Sequence, residues 1–148
     1  MTRPVILFDL DGTLADNSHR QSFIQGEKKD WDAFFDAQAC DTPNAPVAAL
    51  YEALFSSARF DIVVVTARPE RYREVSERWF ALNGIPLKRM LMRADGDRRS
   101  DETIKQEILA KLRLEGATPL FVVDDRASVV QMWRNEGITC FQCADHDF

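Results

Sequence analysis

The chain has 148 residues, 45% hydrophobic, 29% charged and 10% aromatic, the balance of a globular chain long enough to bury a core without disulfide or metal staples. Six Gly and six Pro exclude a collagenous or low-complexity sequence; apolar runs no longer than a strand exclude a transmembrane helix or signal-peptide core, so a cytoplasmic location is expected. The net charge of −5 argues against a nucleic-acid coat protein, although residues 68–99 hold 9 basic against 5 acidic side chains.

Taken in order, residues 5–8 (Val5, Ile6, Leu7, Phe8) form a continuous apolar run, the pattern of a strand buried on both faces of a parallel sheet. Residues 16–43 break the strand–helix alternation and read as an insertion, helical over 30–39, with Trp31, Phe34 and Phe35 apolar. Pro46 suits the first turn of a helix carrying Val47, Leu50, Tyr51 and Leu54 inward. Residues 62–65 are a second buried strand. Pro69 is then expected to open a helix with Tyr72, Val75, Trp79 and Leu82 inward, closed by Asn83 and Gly84. A short strand over 90–92 precedes a helix capped by Ser100, with Ile104, Ile108 and Leu112 inward. Residues 120–123 form another buried strand. Ser128, Val129, Met132 and Trp133 mark a last helix that ends at Gly137, and residues 138–141 a last strand. The sum is one α/β domain over 1–148: a doubly wound, Rossmann-like parallel sheet of about five strands, with a small cap-like helical insertion over 16–43.

In such sheets ligands sit beyond the carboxyl ends of the strands, so the residues just after each apolar run carry the information. After the first run come Asp9, Leu10, Asp11, Gly12 and Thr13; after the second, Thr66, Ala67 and Arg68; after the fourth, Asp124 and Asp125. Four acids at two strand ends repel one another unless a cation joins them, and oxygen-rich sites of this kind suit Mg²⁺. Capping of helix N-termini is the plain alternative for any one of them. Cys40, Cys140 and Cys143 are an odd count; the C-x-x-C spacing of Cys140 and Cys143 has only His146 near it, too few ligands for zinc.

The run Phe8, Asp9, Leu10, Asp11, Gly12, Thr13, Leu14 resembles the first motif of the haloacid dehalogenase-like phosphohydrolases. Thr66, Lys105 and the Asp124–Asp125 pair resemble its second, third and fourth motifs, in the same chain order. Within that family, the stretch from Asp97 through Asp101 and Lys105 to Ile108 is similar to the phosphatase half of the bacteriophage polynucleotide kinase/3′-phosphatases. So are Cys40, Asp41, Thr42, Asn44 and Pro46, and the stretch from Asp124, Asp125 and Arg126 through Trp133 and Cys140 to Asp147 and Phe148. No G-x-x-x-x-G-K-[ST] motif occurs in these residues, so no ATP site is expected in them.

The resemblance implies a Mg²⁺-dependent phosphomonoesterase that removes 3′-phosphates from DNA or RNA ends. Asp9 would be the nucleophile that forms an aspartyl-phosphate, and Asp11 the general acid and base. Thr66 and Lys105 would hold the phosphoryl oxygens. Asp9, the Asp11 carbonyl and Asp124 would ligate the metal, with Asp125 supporting. Arg68, Arg20 and Arg126 are candidate substrate contacts, each readable also as a salt-bridged surface arginine. Asp101, one turn before Lys105, could orient that ammonium or serve as a first-turn helix acid. Trp31, Phe34 and Phe35 could stack a base or fill the core of the insertion. A nucleoside monophosphatase or other small-molecule phosphatase is the alternative with the same chemistry. A receiver-type signalling module would order its acids differently along the chain, and a catalytically dead binding domain would have lost a motif residue. Discrimination among small phosphates would come from a cap domain, and 28 residues are too few for one, so an open site is expected.

Overall fold

The computed structural model describes residues 3–146. Five parallel strands form one sheet in the order β5-β4-β1-β6-β7: β1 Val5–Phe8, β4 Asp61–Pro69, β5 Arg89–Arg93, β6 Pro119–Arg126 and β7 Cys140–His146. β1 is central, with Val5 opposite both Asp61 and Pro119. The alternation of side chains along its apolar run explains why both faces are buried. Ile6 and Phe8 pack with Val47, Tyr51, Trp79 and Phe80 of helices α2 (Ala45–Ser56) and α3 (Arg73–Leu82). Leu7 packs on the opposite face with Ile104, Ile108, Leu109 and Trp133 of α4 (Asp101–Leu114) and α5 (Ala127–Asn135). The chain winds outward from β1 to β4 and β5, then crosses back to β6 and β7. The reversal leaves a crevice at the carboxyl end of β1.

The insertion is clasped at its ends by a two-residue antiparallel ladder, β2 (Ala15–Asp16) with β3 (Thr42–Pro43). Between them lie 3₁₀ turns over Ser18–Ile24 and Ala37–Cys40 and one short helix, α1 (Trp31–Asp36), capped by the Asp30 carboxylate on the Ala33 N–H at 3.0 Å. No described helix is long and apolar enough to cross a membrane.

Several local expectations are corrected. Pro69 does not open a helix: β4 runs past its apolar segment, Pro69 pairs with Arg93, and a 3₁₀ turn over Glu70–Tyr72 precedes α3. Its φ of −64° is common to helical and extended prolines, but its ψ of 149° is that of extended backbone. The last strand begins at Cys140 rather than at residue 138, because the Ile138 N–H still closes the end of α5 on the Trp133 carbonyl. Leu50 and Leu82, expected inward, are 45% and 79% exposed. The Asp147–Phe148 end of the sequence resemblance lies outside the described residues.

Candidate active site

The crevice at the ends of β1, β4 and β6 gathers side chains from positions far apart in sequence. Asp9 follows β1, and its N–H donates to the Val123 carbonyl at 3.0 Å, so the ladder itself sets its position. Its carboxylate is buried. Oδ1 accepts from Lys105 Nζ at 2.7 Å and Oδ2 from Thr13 Oγ1 at 3.0 Å. Lys105, pointing inward from α4, also donates to Asp124 Oδ2 at 2.9 Å, and Trp133 Nε1 donates to the same oxygen at 3.2 Å. Asp125 Oδ1 lies 3.1 Å from Thr13 Oγ1, and its Oδ2 lies 2.6 Å from His146 Nδ1.

Charge dominates this cluster. Burial, then the neighbouring Asp124 charge, pushes the Asp9 carboxyl well above its ordinary value, against the pull of Lys105. Burial also pushes Asp125 up to about 6. Burial opposes the charge on Lys105, but Asp124 and Asp9 overcome it and raise its value. Three carboxylates thus face one ammonium. Asp9, Asp124 and Asp125 each offer an oxygen within 4.8 Å of the others, a hard donor set that fits Mg²⁺ by charge and chemistry. The Asp11 side chain is outside this group, whereas Asp125, expected only in support, is within it.

Asp11 faces the other way, into two buried arginines. Arg68 donates through Nε to Oδ2 at 3.0 Å and through Nη2 to Oδ1 at 2.7 Å, and Arg20 Nη2 donates to Oδ1. Burial raises the Asp11 carboxyl, but Arg68 and then Arg20 outweigh it and hold the group far below the usual carboxylate range. Both arginines are themselves held by the insertion. Asp41 accepts from Arg20 Nε at 2.8 Å and Nη2 at 2.5 Å, Phe34 offers its carbonyl at 3.0 Å, and the Phe34 ring lies 4.3 Å beneath the guanidinium. Arg68 Nη1 donates to Gln38 Oε1 and, at 2.9 Å, to Ser76 Oγ. Arg20 and Arg68 are therefore Asp11-binding groups in this state, not forks open to solvent. Asp41, Gln38, Ser76 and Thr13 were not singled out from sequence. Thr13 and Asp41 sit inside matching motifs, but Gln38 and Ser76 carry no signal of their own.

Of the two roles open to Asp101, the structure shows the first-turn acid of α4 and not the partner of Lys105. Asp101 does not touch Lys105 but accepts from Arg93 Nη2 at 2.7 Å and Arg126 Nη1 at 2.6 Å. One helical turn separates Asp101 from Lys105, yet the lysine stem runs inward to the strand ends while two arginines claim the aspartate. Thr66, fully buried at the end of the apolar stretch of β4, accepts from the Arg68 N–H at 3.2 Å. The cationic surplus of 68–99 is mostly absorbed. Arg68, Arg71, Arg73, Arg78, Lys88, Arg89, Arg93 and Arg99 all have acidic partners. Of the insertion aromatics, Phe34 is buried under Arg20, while Trp31 is 36% exposed and stacks on Phe35 with centroids 6.1 Å apart. The three cysteines are free thiols.

Gly12 makes the tight turn that follows Asp11 and passes beside Asp125. Its φ is +81°, and a Cβ there would lie 2.2 Å from Asp125 Oδ2. Gly137 has the same φ with nothing within 4 Å of a Cβ. Both Gly→Ala changes should cost about 1–3 kcal/mol in backbone strain. Only Gly12→Ala should also displace Asp125 and lose activity, by roughly tenfold or more. Melting curves and initial rates of the two variants, side by side, check this; equal rates would remove Asp125 from the site.

Comparison with known proteins agrees with this geometry. The family model of the polynucleotide kinase PNKP phosphatase domain matches residues 3–148. A chain in a structure of the Pnkp1/Rnl/Hen1 RNA repair complex superposes with a TM-score of 0.83 at 30% identity, over 99% of this chain and 44% of that one. A chain of a second Pnkp1/Rnl/Hen1 complex gives 0.81 at 31% identity, over 99% and 48%. The present chain therefore spans less than half the length of each. A class C acid phosphatase from Bacillus anthracis with tungstate bound shares the fold, with a TM-score of 0.72 at 15% identity over 100% of this chain and 69% of that one. With its strand-end acids and lysine in the matching order, the chain belongs to the PNKP phosphatase-domain family of haloacid dehalogenase-like phosphohydrolases and is a phosphomonoesterase.

Proposed function

We propose that this domain removes 3′-phosphates from polynucleotide ends through an aspartyl-phosphate on Asp9, in a Mg²⁺-dependent reaction. The observation that carries the reading is the Asp9 carboxylate itself, aligned by Lys105 and Thr13 beside Asp124 and Asp125. Asp9, Asp124 and Asp125, joined by the Asp11 carbonyl, would hold Mg²⁺, which when bound would neutralise the charge that otherwise keeps an anionic nucleophile from a phosphate. A carboxylate oxygen of Asp9 forms the bond to phosphorus as the bond to the leaving 3′-oxygen breaks, and that oxygen takes its proton from Asp11. Water then attacks the phosphorus of the acyl phosphate and gives a proton to Asp11, releasing inorganic phosphate and restoring Asp9. Thr66 and Lys105 hold the equatorial oxygens, where charge spreads in the transition state. Arg68 is assigned to the phosphate, by exchanging Asp11 for it, whereas Arg20 is assigned to positioning Asp11 and Arg126 to the substrate side with Asp101. Free thiols suit the cytoplasmic setting assigned to the domain.

The 3′-end assignment draws on the family, on the relatives in Pnkp1/Rnl/Hen1 complexes, one of them an RNA repair complex, and on the small size of the insertion, which reaches Asp11 through Arg20. The pairing of eight cations in 68–99 with acids favours the alternative, a nucleoside monophosphatase. The test is the kcat/KM for a 3′-phosphorylated oligonucleotide against that for a free 3′-mononucleotide. The oligonucleotide should win by about tenfold at low salt, and the advantage should shrink as salt rises. Equal efficiency, or a preference for the mononucleotide, selects the nucleotidase.

A further inference from the structure

β5 ends on Arg93, a cation whose side chain is only 10% exposed. Its fork points in three directions. Nε donates to the Ala67 carbonyl at 2.8 Å, Nη1 to the carbonyls of Asp97 at 3.0 Å and Arg99 at 2.6 Å, and Nη2 to Asp101 Oδ1 at 2.7 Å. The Ala67 oxygen belongs to the same planar peptide as the Arg68 N–H, which donates to Thr66 Oγ1 at 3.2 Å. This peptide is therefore held at both ends, by Arg93 at its oxygen and by the Thr66 hydroxyl at its hydrogen. That bond uses an acceptor position on Thr66 and leaves its O–H to donate. On the other arm, Arg93 gathers the loop that leads into α4 and the first residue of that helix, one turn before Lys105.

We infer that Arg93 is a positioning residue for phosphoryl transfer: it fixes the Ala67–Arg68 peptide against the start of α4, so that Thr66 and Lys105 meet the same phosphoryl group. The inference rests on the phosphatase reading, not on the 3′-end assignment. Arg93 touches no reacting atom. Its effect passes through a peptide plane and a helix start, both of which need a planar fork of donors. A lysine keeps the charge but offers one nitrogen, which cannot serve three carbonyls and a carboxylate in those directions.

The test measures rates on p-nitrophenyl phosphate well below the melting transition, for wild type, Arg93→Lys, Thr66→Val and the double variant. Arg73→Lys is the comparator, because Arg73 also pins a β5 carbonyl, that of Met90 at 2.9 Å. Arg93→Lys should lose about tenfold or more in kcat/KM with its circular dichroism unchanged, and Arg73→Lys less than about twofold. If Arg93 acts through Thr66, the double variant should lose no more than Thr66→Val alone. Losses that simply multiply, an Arg93→Lys rate within about twofold of wild type, or an Arg93→Lys chain that does not fold would each overturn the proposal. A wild-type chain inactive on every phosphomonoester would instead bring down the reading on which it rests.

Discussion

Asp9→Asn should reduce turnover to below roughly a hundredth of wild type while making the metal-free protein more stable. The catalytic loss follows from chemistry: an amide is not a nucleophile toward phosphorus. The gain in stability follows from electrostatics. The Asp9 carboxyl is held above its ordinary value of 3.8 by burial and by Asp124, so the folded state prefers it protonated. A group raised in this way supports the fold at low pH, and that support is lost as pH climbs from the ordinary value through the raised one. Asp125, pushed up to about 6, contributes with the same sign. Metal-free wild type should therefore melt at a lower temperature at pH 8 than at pH 5, and Asp9→Asn should retain only the part due to Asp125. Melting curves in EDTA at the two pH values check this. An identical pH dependence in both proteins would mean that Asp9 is not the strained carboxylate.

Asp11→Asn should also be severely impaired, by about 10²–10⁴-fold on an alkyl phosphate, but with the opposite effect on stability. Arg68 and Arg20 keep Asp11 ionised in the free protein. As it stands it is an acceptor, ready to take a proton from the hydrolytic water. To donate one to the leaving oxygen, it must first lose a guanidinium to the incoming phosphate and take up a proton from solvent. An activated aryl phosphate needs no such donation, so its loss should be smaller; equal losses on aryl and alkyl substrates would remove Asp11 from the acid role. Removing the carboxylate leaves two buried arginines short of a partner, at a cost of about 1.5–3 kcal/mol. Here the folded-state value is depressed, so the stabilisation is present above the ordinary value of 3.8 and fades as pH falls below it. The two aspartates, two residues apart, should shift the melting temperature in opposite directions when changed to Asn.

What was legible in the sequence were features carried by contiguous residues. The apolar run over 5–8 declares a doubly buried strand because both of its faces are covered, and the acids that follow it fall at the crevice because strands end there. Trp133 and Val129 could be set on a buried helix face by spacing alone. What could not be read were contacts closed by folding. Gln38 meets Ser76 and Arg68 across 38 and 30 residues, and Arg68 meets Asp11 across 57. No local pattern marks such a pairing. Asp101 shows the converse hazard, since its helical spacing to Lys105 was real but its oxygens went to Arg93 and Arg126. Arg93 itself looked like one more cation in a basic stretch.

The central claim is removal of a phosphate from the 3′ end of a polynucleotide, and one substrate tests it directly. A short single-stranded oligonucleotide carrying a phosphate at both ends, incubated with the protein and Mg²⁺, can be followed by mass spectrometry of the intact strand. The account predicts loss of one phosphate, from the 3′ end, with the 5′-phosphate retained until that loss is complete. Loss from the 5′ end first, or no loss from either end while free nucleotides are dephosphorylated under the same conditions, would contradict it.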